Sequence, residues 1–229
     1  MARDVREIIT DEAILGERCD EINVLKQGTL VREITKALKD TIREKGLKSL
    51  SAPAIGYKYR IFCLNFSDSE IKTFINPIIT NAEGVQLARE SCHSIPNREF
   101  IRPRNPKIKV MYTNPTGKIL SCEFVGLSAV VFQHELDHLD GLLLTDIALE
   151  IDENWDKASD EERQEVIEAY LDSIDMKQKE LEKEIAEDPD LKRTSDAIDF
   201  MTKVQRGEVK LEPVQIGEGD VSTISENTD

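Results

Sequence analysis

The sequence predicts an α+β fold, with small antiparallel sheets around a central HExxH helix and a helical extension at the C-terminus. Three observations carry this. Short segments rich in β-branched and aromatic residues come in pairs separated by turn residues. One later segment, residues 126–140 (GLSAVVFQHELDHLD), switches to helical spacing. The charge then changes: residues 1–150 carry 20 Lys and Arg against 21 Asp and Glu, while residues 151–229 carry 10 against 24.

The elements follow in order. In residues 29–45, Leu30, Ile34, Leu38 and Ile42 recur at steps of four, which is one helical face, and Gly46 is a suitable stop. Residues 57–66 and 70–79 read as a strand pair around the polar stretch Ser67-Asp68-Ser69. Residues 107–113 alternate, Asn114-Pro115-Thr116-Gly117 is a turn signal, and 118–125 return as a second hairpin. In helix 126–140, Leu127, Val130, Val131, His134 and His138 share a face, and Gly141 ends the helix. Ser159-Asp160-Glu161-Glu162 resembles a capping box. Val166, Tyr170, Ile174, Leu181 and Ile185 then give an interrupted apolar stripe, which Asp188-Pro189 stops. A short helix near 191–205 and a polar, disordered tail are expected after it. The resulting divisions are a near-neutral globular domain over 1–150, an acidic helical extension over 151–188, and a tail over 189–229.

Composition excludes several classes. With 39% apolar residues among 229, the chain can bury a core, so wholesale disorder is ruled out. No apolar run approaches a membrane span, and MARDVREIIT lacks the apolar stretch of a secretion signal. Cys19, Cys63, Cys92 and Cys122 are scattered without a CxxC, which suits reduced thiols in the cytoplasm. Nearly all of the net charge of −15 sits in the last third, and it repels phosphate backbones, so direct nucleic-acid binding is not expected. The acidic helix is expected to lie back on the domain; the alternative is a surface for a protein partner.

His134 and His138 stand at i and i+4 in H-E-L-D-H, so both imidazoles can reach one ion. They share their face with Val130 and Val131, and a buried histidine pair without a ligand is hard to satisfy. Glu135 is placed to hold and deprotonate a water. The third ligand is open at this level. An HExxHxxGxxH peptidase would need a histidine where Leu144 stands. Glu150 or Glu153 could follow from a later segment, and Cys92 in E-S-C-H-S-I-P offers a thiolate.

Glu90-Ser91-Cys92-His93-Ser94 and Gln133-His134-Glu135-Leu136-Asp137-His138 resemble the second and third motifs of peptide deformylases, written E-G-C-L-S and Q-H-E-x-D-H. Asn76-Pro77 in its strand, Pro103-Arg104 before KIKV, and Asp11 to Leu15 also resemble that family, over about residues 5–150. The first motif, G-x-G-L-A-A-P-Q, aligns with Leu47 to Ala54 and is eroded.

The resemblance implies an α+β enzyme that removes the formyl group from N-formylmethionine on nascent peptides. It implies that Cys92, His134 and His138 hold one divalent metal ion, Fe(II) in the cell, replaceable by Ni or Zn. It casts Glu135 as the proton carrier and Glu90 with Arg104 as a supporting pair. Oxyanion and substrate contacts fall to His93, Ala54, Ser49 and Leu50. The family's oxyanion-binding Gln is replaced by Ala54, the motif glycines by Leu47 and Ser49, and the residue after the cysteine by His93. Losing one oxyanion donor typically costs ~10²–10³ in rate, so metal binding with slowed or altered deformylation is expected. A non-catalytic binder that keeps the pocket, and less favourably an HExxH peptidase, are the alternatives.

Overall fold

The computed structural model describes residues 3–67 and 70–187. A one-turn helix α1 (Glu12–Leu15) is capped by Asp11, whose carboxylate accepts from the amides of Ala13 and Ile14. The first long helix, α2 (Gly28–Lys45), buries Val31, Ile34, Leu38 and Ile42 and ends at Gly46 in the left-handed region. It lies beside the short strand β1 (Ser49–Ser51) and β2 (Ile61–Ser67), which carries Ile61 and Cys63 into the same core. Strand β2 starts at Ile61 rather than at residue 57, because Pro53–Ile55 form a 3-10 turn and the Tyr57 amide closes it by donating a hydrogen bond to the Ala52 carbonyl.

Strand β3 (Glu70–Glu83) is longer than its sequence suggests and carries an irregularity between Ile75 and Ile78. Asn76, at φ 46°, sits in it; its side chain accepts from the Ile22 amide and donates to the Ile22 carbonyl. A hairpin of β4 (Gln86–Cys92) and β5 (Ile95–Arg104) follows, then the predicted hairpin of β6 (Lys107–Thr113) and β7 (Ile119–Val125). Five antiparallel strands order as β1-β2-β3-β6-β7. The second sheet is β4-β5-β8, where β8 is Leu149–Ile151.

The helix α3 (Leu127–Asp140) lies between the sheets and presents three faces. Ala129, Phe132 and Leu139 enter a core with Phe62, Phe74 and Phe124, where Phe132 meets Phe62 edge-on at 5.0 Å. Gln133 and Asp137 turn toward the end of β5. Val130, Val131, His134, Glu135 and His138 line a cleft. Gly141 ends α3 at φ 72°, and a Cβ there would stand 2.5 Å from the Gly16 carbonyl oxygen, so only glycine lets the N-terminal segment cross the helix end.

After the short helix α4 (Leu144–Ile147), α5 (Asp160–Glu187) begins with the reciprocal bonds of a capping box. Glu162 accepts from the Ser159 amide, and Ser159 Oγ accepts from the Glu162 amide. Tyr170 donates to the Ile147 carbonyl at 2.9 Å. The expected stop at Asp188-Pro189, the helix near 191–205 and the tail lie outside the described residues. No helix among the described residues is long and apolar enough to cross a membrane.

Candidate active site

Cys92 ends β4 at the turn into β5, and α3 brings His134 and His138 up to it. One donor atom from each of the three lies within 4.8 Å of the others, and Cys92 Sγ stands 3.2 Å from His138 Nε2. All three side chains are buried or nearly so at the floor of a cleft of about 230 Å³. Burial alone pushes the Cys92 thiol up, but hydrogen bonds to His134 and His138 outweigh it and bring the thiol down to about 5.

A buried ion network stands behind the histidines. Arg104 donates Nε–H and Nη2–H to the two oxygens of Glu90 at 2.7 and 2.9 Å. Glu90 Oε2 also lies 2.9 Å from His134 Nδ1. A carboxylate only accepts, so Nδ1 carries a proton, which leaves Nε2, on the side of Cys92, as the nitrogen that would bind an ion on giving up its own proton. Burial raises the Glu90 carboxyl, but the Arg104 charge and the His134 bond override it and hold it far below the usual carboxylate range. Asp137 joins Arg104 at 2.7 Å and Arg102 at 2.8 Å. Burial, then the neighbouring Arg104, lowers Arg102.

Arg102 and Asp137 were missed as site residues. The signal available was that Arg102 and Arg104 alternate onto one side of a strand, and that Asp137 precedes the second histidine. Gln133 of the motif is structural: its side chain accepts from the Asn105 amide and donates to the carbonyls of Asn105 and Ala129.

The other expected residues fall around the same cleft. Ser49, Leu50 and Ala54 line one wall and His93 another. Ala54 is buried and His93 exposed. Leu127, expected on the inward face, is 48% exposed at the rim. Glu150 is spent on Arg98, with bonds of 2.7 and 2.6 Å, and Glu153 lines a different, solvent-open depression beside it. Glu135 is buried in the cleft, and its Oε2 has no partner among the described residues.

Residues 5–154 match the polypeptide deformylase family. The chain belongs to that family. A peptide deformylase of Dictyoglomus thermophilum is 31% identical over 150 residues, covering 66% of this chain and 95% of that protein. One from Pseudothermotoga lettingae is 36% identical over 132 residues, 57% of this chain and 71% of that protein. Among solved structures, the peptide deformylase of Thermotoga maritima is 29% identical with a TM-score of 0.56, covering 62% of this chain and 95% of that one. A class I type b enzyme of Acinetobacter baumannii, solved with Met-Ala-Ser bound, shares the fold at 22% identity and TM-score 0.59, covering 63% and 99%. The family, the α+β fold and the metal-dependent hydrolase class expected from the motifs therefore hold.

The donor set fits a divalent ion. One thiolate and two imidazoles leave a fourth position of a tetrahedron open, as catalytic sites of this kind do. Sγ and N ligands on a common ion are roughly 3.5 Å apart by tetrahedral geometry, close to the 3.2 Å between Cys92 Sγ and His138 Nε2.

Proposed function

We propose that this chain removes the formyl group from N-formylmethionyl peptides, with Cys92, His134 and His138 holding one divalent ion. The observation that carries the reading is the convergence of these three donors beside a buried carboxylate, Glu135, whose Oε2 has no partner among the described residues. When bound, the ion supplies Lewis-acid polarisation of the formyl carbonyl and a lowered pKa for water. Fe(II) is the ion of this reading, with Ni and Zn as replacements, because a mixed sulfur and nitrogen set accepts all three.

The chain's own residues do the rest. Glu135 accepts a proton from the attacking water and passes it to the departing amine. The water oxygen bonds to the formyl carbon, the C–N bond breaks, and formate and a free amino terminus leave. Glu90 fixes His134 in the tautomer that frees Nε2, and Arg104 with Asp137 keeps Glu90 charged in a buried place. The exposed His93 on one side and Ser49 on the other frame the entrance for the peptide, with Leu50 buried behind Ser49.

The reading places the protein in the cytoplasm, where nascent chains emerge; no disulfide joins Cys19, Cys63, Cys92 and Cys122, which suits a reducing compartment. For α5 it favours an intramolecular brace, supported by the Tyr170 bond to Ile147, over a docking surface for a protein partner.

The test is formate release from a formyl-methionyl tripeptide by the full chain, loaded anaerobically with Fe(II) and separately with Ni or Zn. Formate and free amine should appear in equal amounts and vanish in Glu135→Gln. A metal-loaded chain that releases no more formate than Glu135→Gln is a binder. Cleavage of an internal peptide bond instead identifies a peptidase.

A further inference from the structure

Strand β1 alternates: Leu50 enters the α2 core beside Cys63, while Ser49 and Ser51 share the other side. That other side lines the cleft together with Glu135 and Cys92. Ser51 is 0% exposed, and its Oγ has no hydrogen-bond partner among the described residues. A buried hydroxyl is normally paired, so one left unpaired at a cleft floor points to an absent partner.

The polar groups there divide sharply by what they can still do. Cys92, His134 and His138 turn one donor atom each toward one another, as ligands of a shared ion would. Glu135 carries a spare oxygen that only accepts. Ala54, next along the same wall, offers a methyl group. Among the buried side chains of this wall, Ser51 is the unspent donor.

We propose that the Ser51 hydroxyl donates a hydrogen bond to the carbonyl oxygen of the bound formyl group, and that this bond strengthens as the oxygen gains negative charge. The inference rests on the deformylase reading above. Of the unpaired buried atoms around the cleft, which also include His138 Nδ1, it makes two complementary: Glu135 Oε2 takes the proton that water gives up, and Ser51 Oγ–H meets the charge that water's attack creates.

The experiment compares the metal-loaded wild-type chain with Ser51→Ala and Ser51→Cys on a formyl-methionyl tripeptide, with thermal midpoint and metal stoichiometry measured on each. Ser51→Ala should lower kcat by roughly 10²-fold with little change in KM, the loss typical of one oxyanion donor. Ser51→Cys, a weak donor of similar size, should fall between them. Metal content should stay at the wild-type value and the midpoint should not fall, since removing an unpaired buried hydroxyl relieves a cost. Formate, used as a probe of the loaded protein by calorimetry, should bind more weakly to Ser51→Ala. An active wild type with an equally active Ser51→Ala overturns the assignment and leaves the deformylase reading intact. A falling midpoint that accounts for the lost activity, with formate binding unchanged, also overturns it by showing a packing role. A wild type without formate release removes both.

Discussion

The wall of the cleft made by α3 and β4 differs from the wall made by residues 48–54 in how its polar groups are satisfied. On the first, His134 leans on Glu90, Glu90 on Arg104, and Arg104 on Asp137, each within 2.9 Å. On the second, Ala54 is apolar and the Ser51 hydroxyl has no partner among the described residues. The ion network behind His134 is therefore in place before any ligand arrives, although Glu135 Oε2 and His138 Nδ1 on the same helix stay unpaired, whereas the second wall holds no such network. A site of this kind should lose metal affinity and stability when the first wall is cut, and change rate without losing its metal when the second is altered.

Cutting the first wall gives the largest effect. Glu90→Gln removes the charge that pairs with Arg104 and orients His134. Breaking a buried pair of this kind costs about 3–5 kcal/mol, and losing a ligand's orienting partner weakens metal binding about 10–100-fold. Urea unfolding and competition with a zinc chelator should show both. Unchanged values in both would make the pair incidental to the site.

Altering the second wall should touch rate instead. Ala54→Gln adds a donor beside Ser51 and should raise kcat, by up to ~10² if its amide reaches the substrate oxygen. Ala54 is buried, so the larger side chain should also cost roughly 1–3 kcal/mol of stability. Equal rates in native chain and variant would remove Ala54 from the account of slowed turnover.

Smaller effects lie farther out. Tyr170→Phe deletes the bond to the Ile147 carbonyl and should cost about 1 kcal/mol in thermal unfolding, with kcat unchanged. Deleting residues 189–229 should leave the thermal midpoint of the rest where it was. A collapse on that deletion would move the boundary of the folded unit into the tail.

The legible parts of this molecule share a local physical cause. The i, i+4 histidines, the Asn114–Gly117 turn, the Gly46 and Gly141 stops and the capping box are all set by neighbours within a turn or two of chain. The β4–β5 hairpin was not legible, because Pro96 and Pro103 discount a strand. Both prolines lie outside Glu99–Ile101, the part of β5 that β8 pairs, so neither removes a needed donor there. Cys92 was one of several possible third ligands by residue type, and only family resemblance singled it out, since residues 42 positions apart in sequence carry no local sign of contact. The same holds for Arg102 with Asp137, and for Ser51, whose unusual feature is a missing partner rather than a residue type.

The proposed chemistry depends on one ion shared by a sulfur and two imidazoles. X-ray absorption at the metal edge of the zinc- or nickel-loaded full chain tests it most directly. The account predicts one sulfur at about 2.3 Å and two imidazole nitrogens at about 2.0–2.1 Å, with the sulfur lost in Cys92→Ser. A first shell of nitrogen and oxygen alone in the wild-type chain would contradict it.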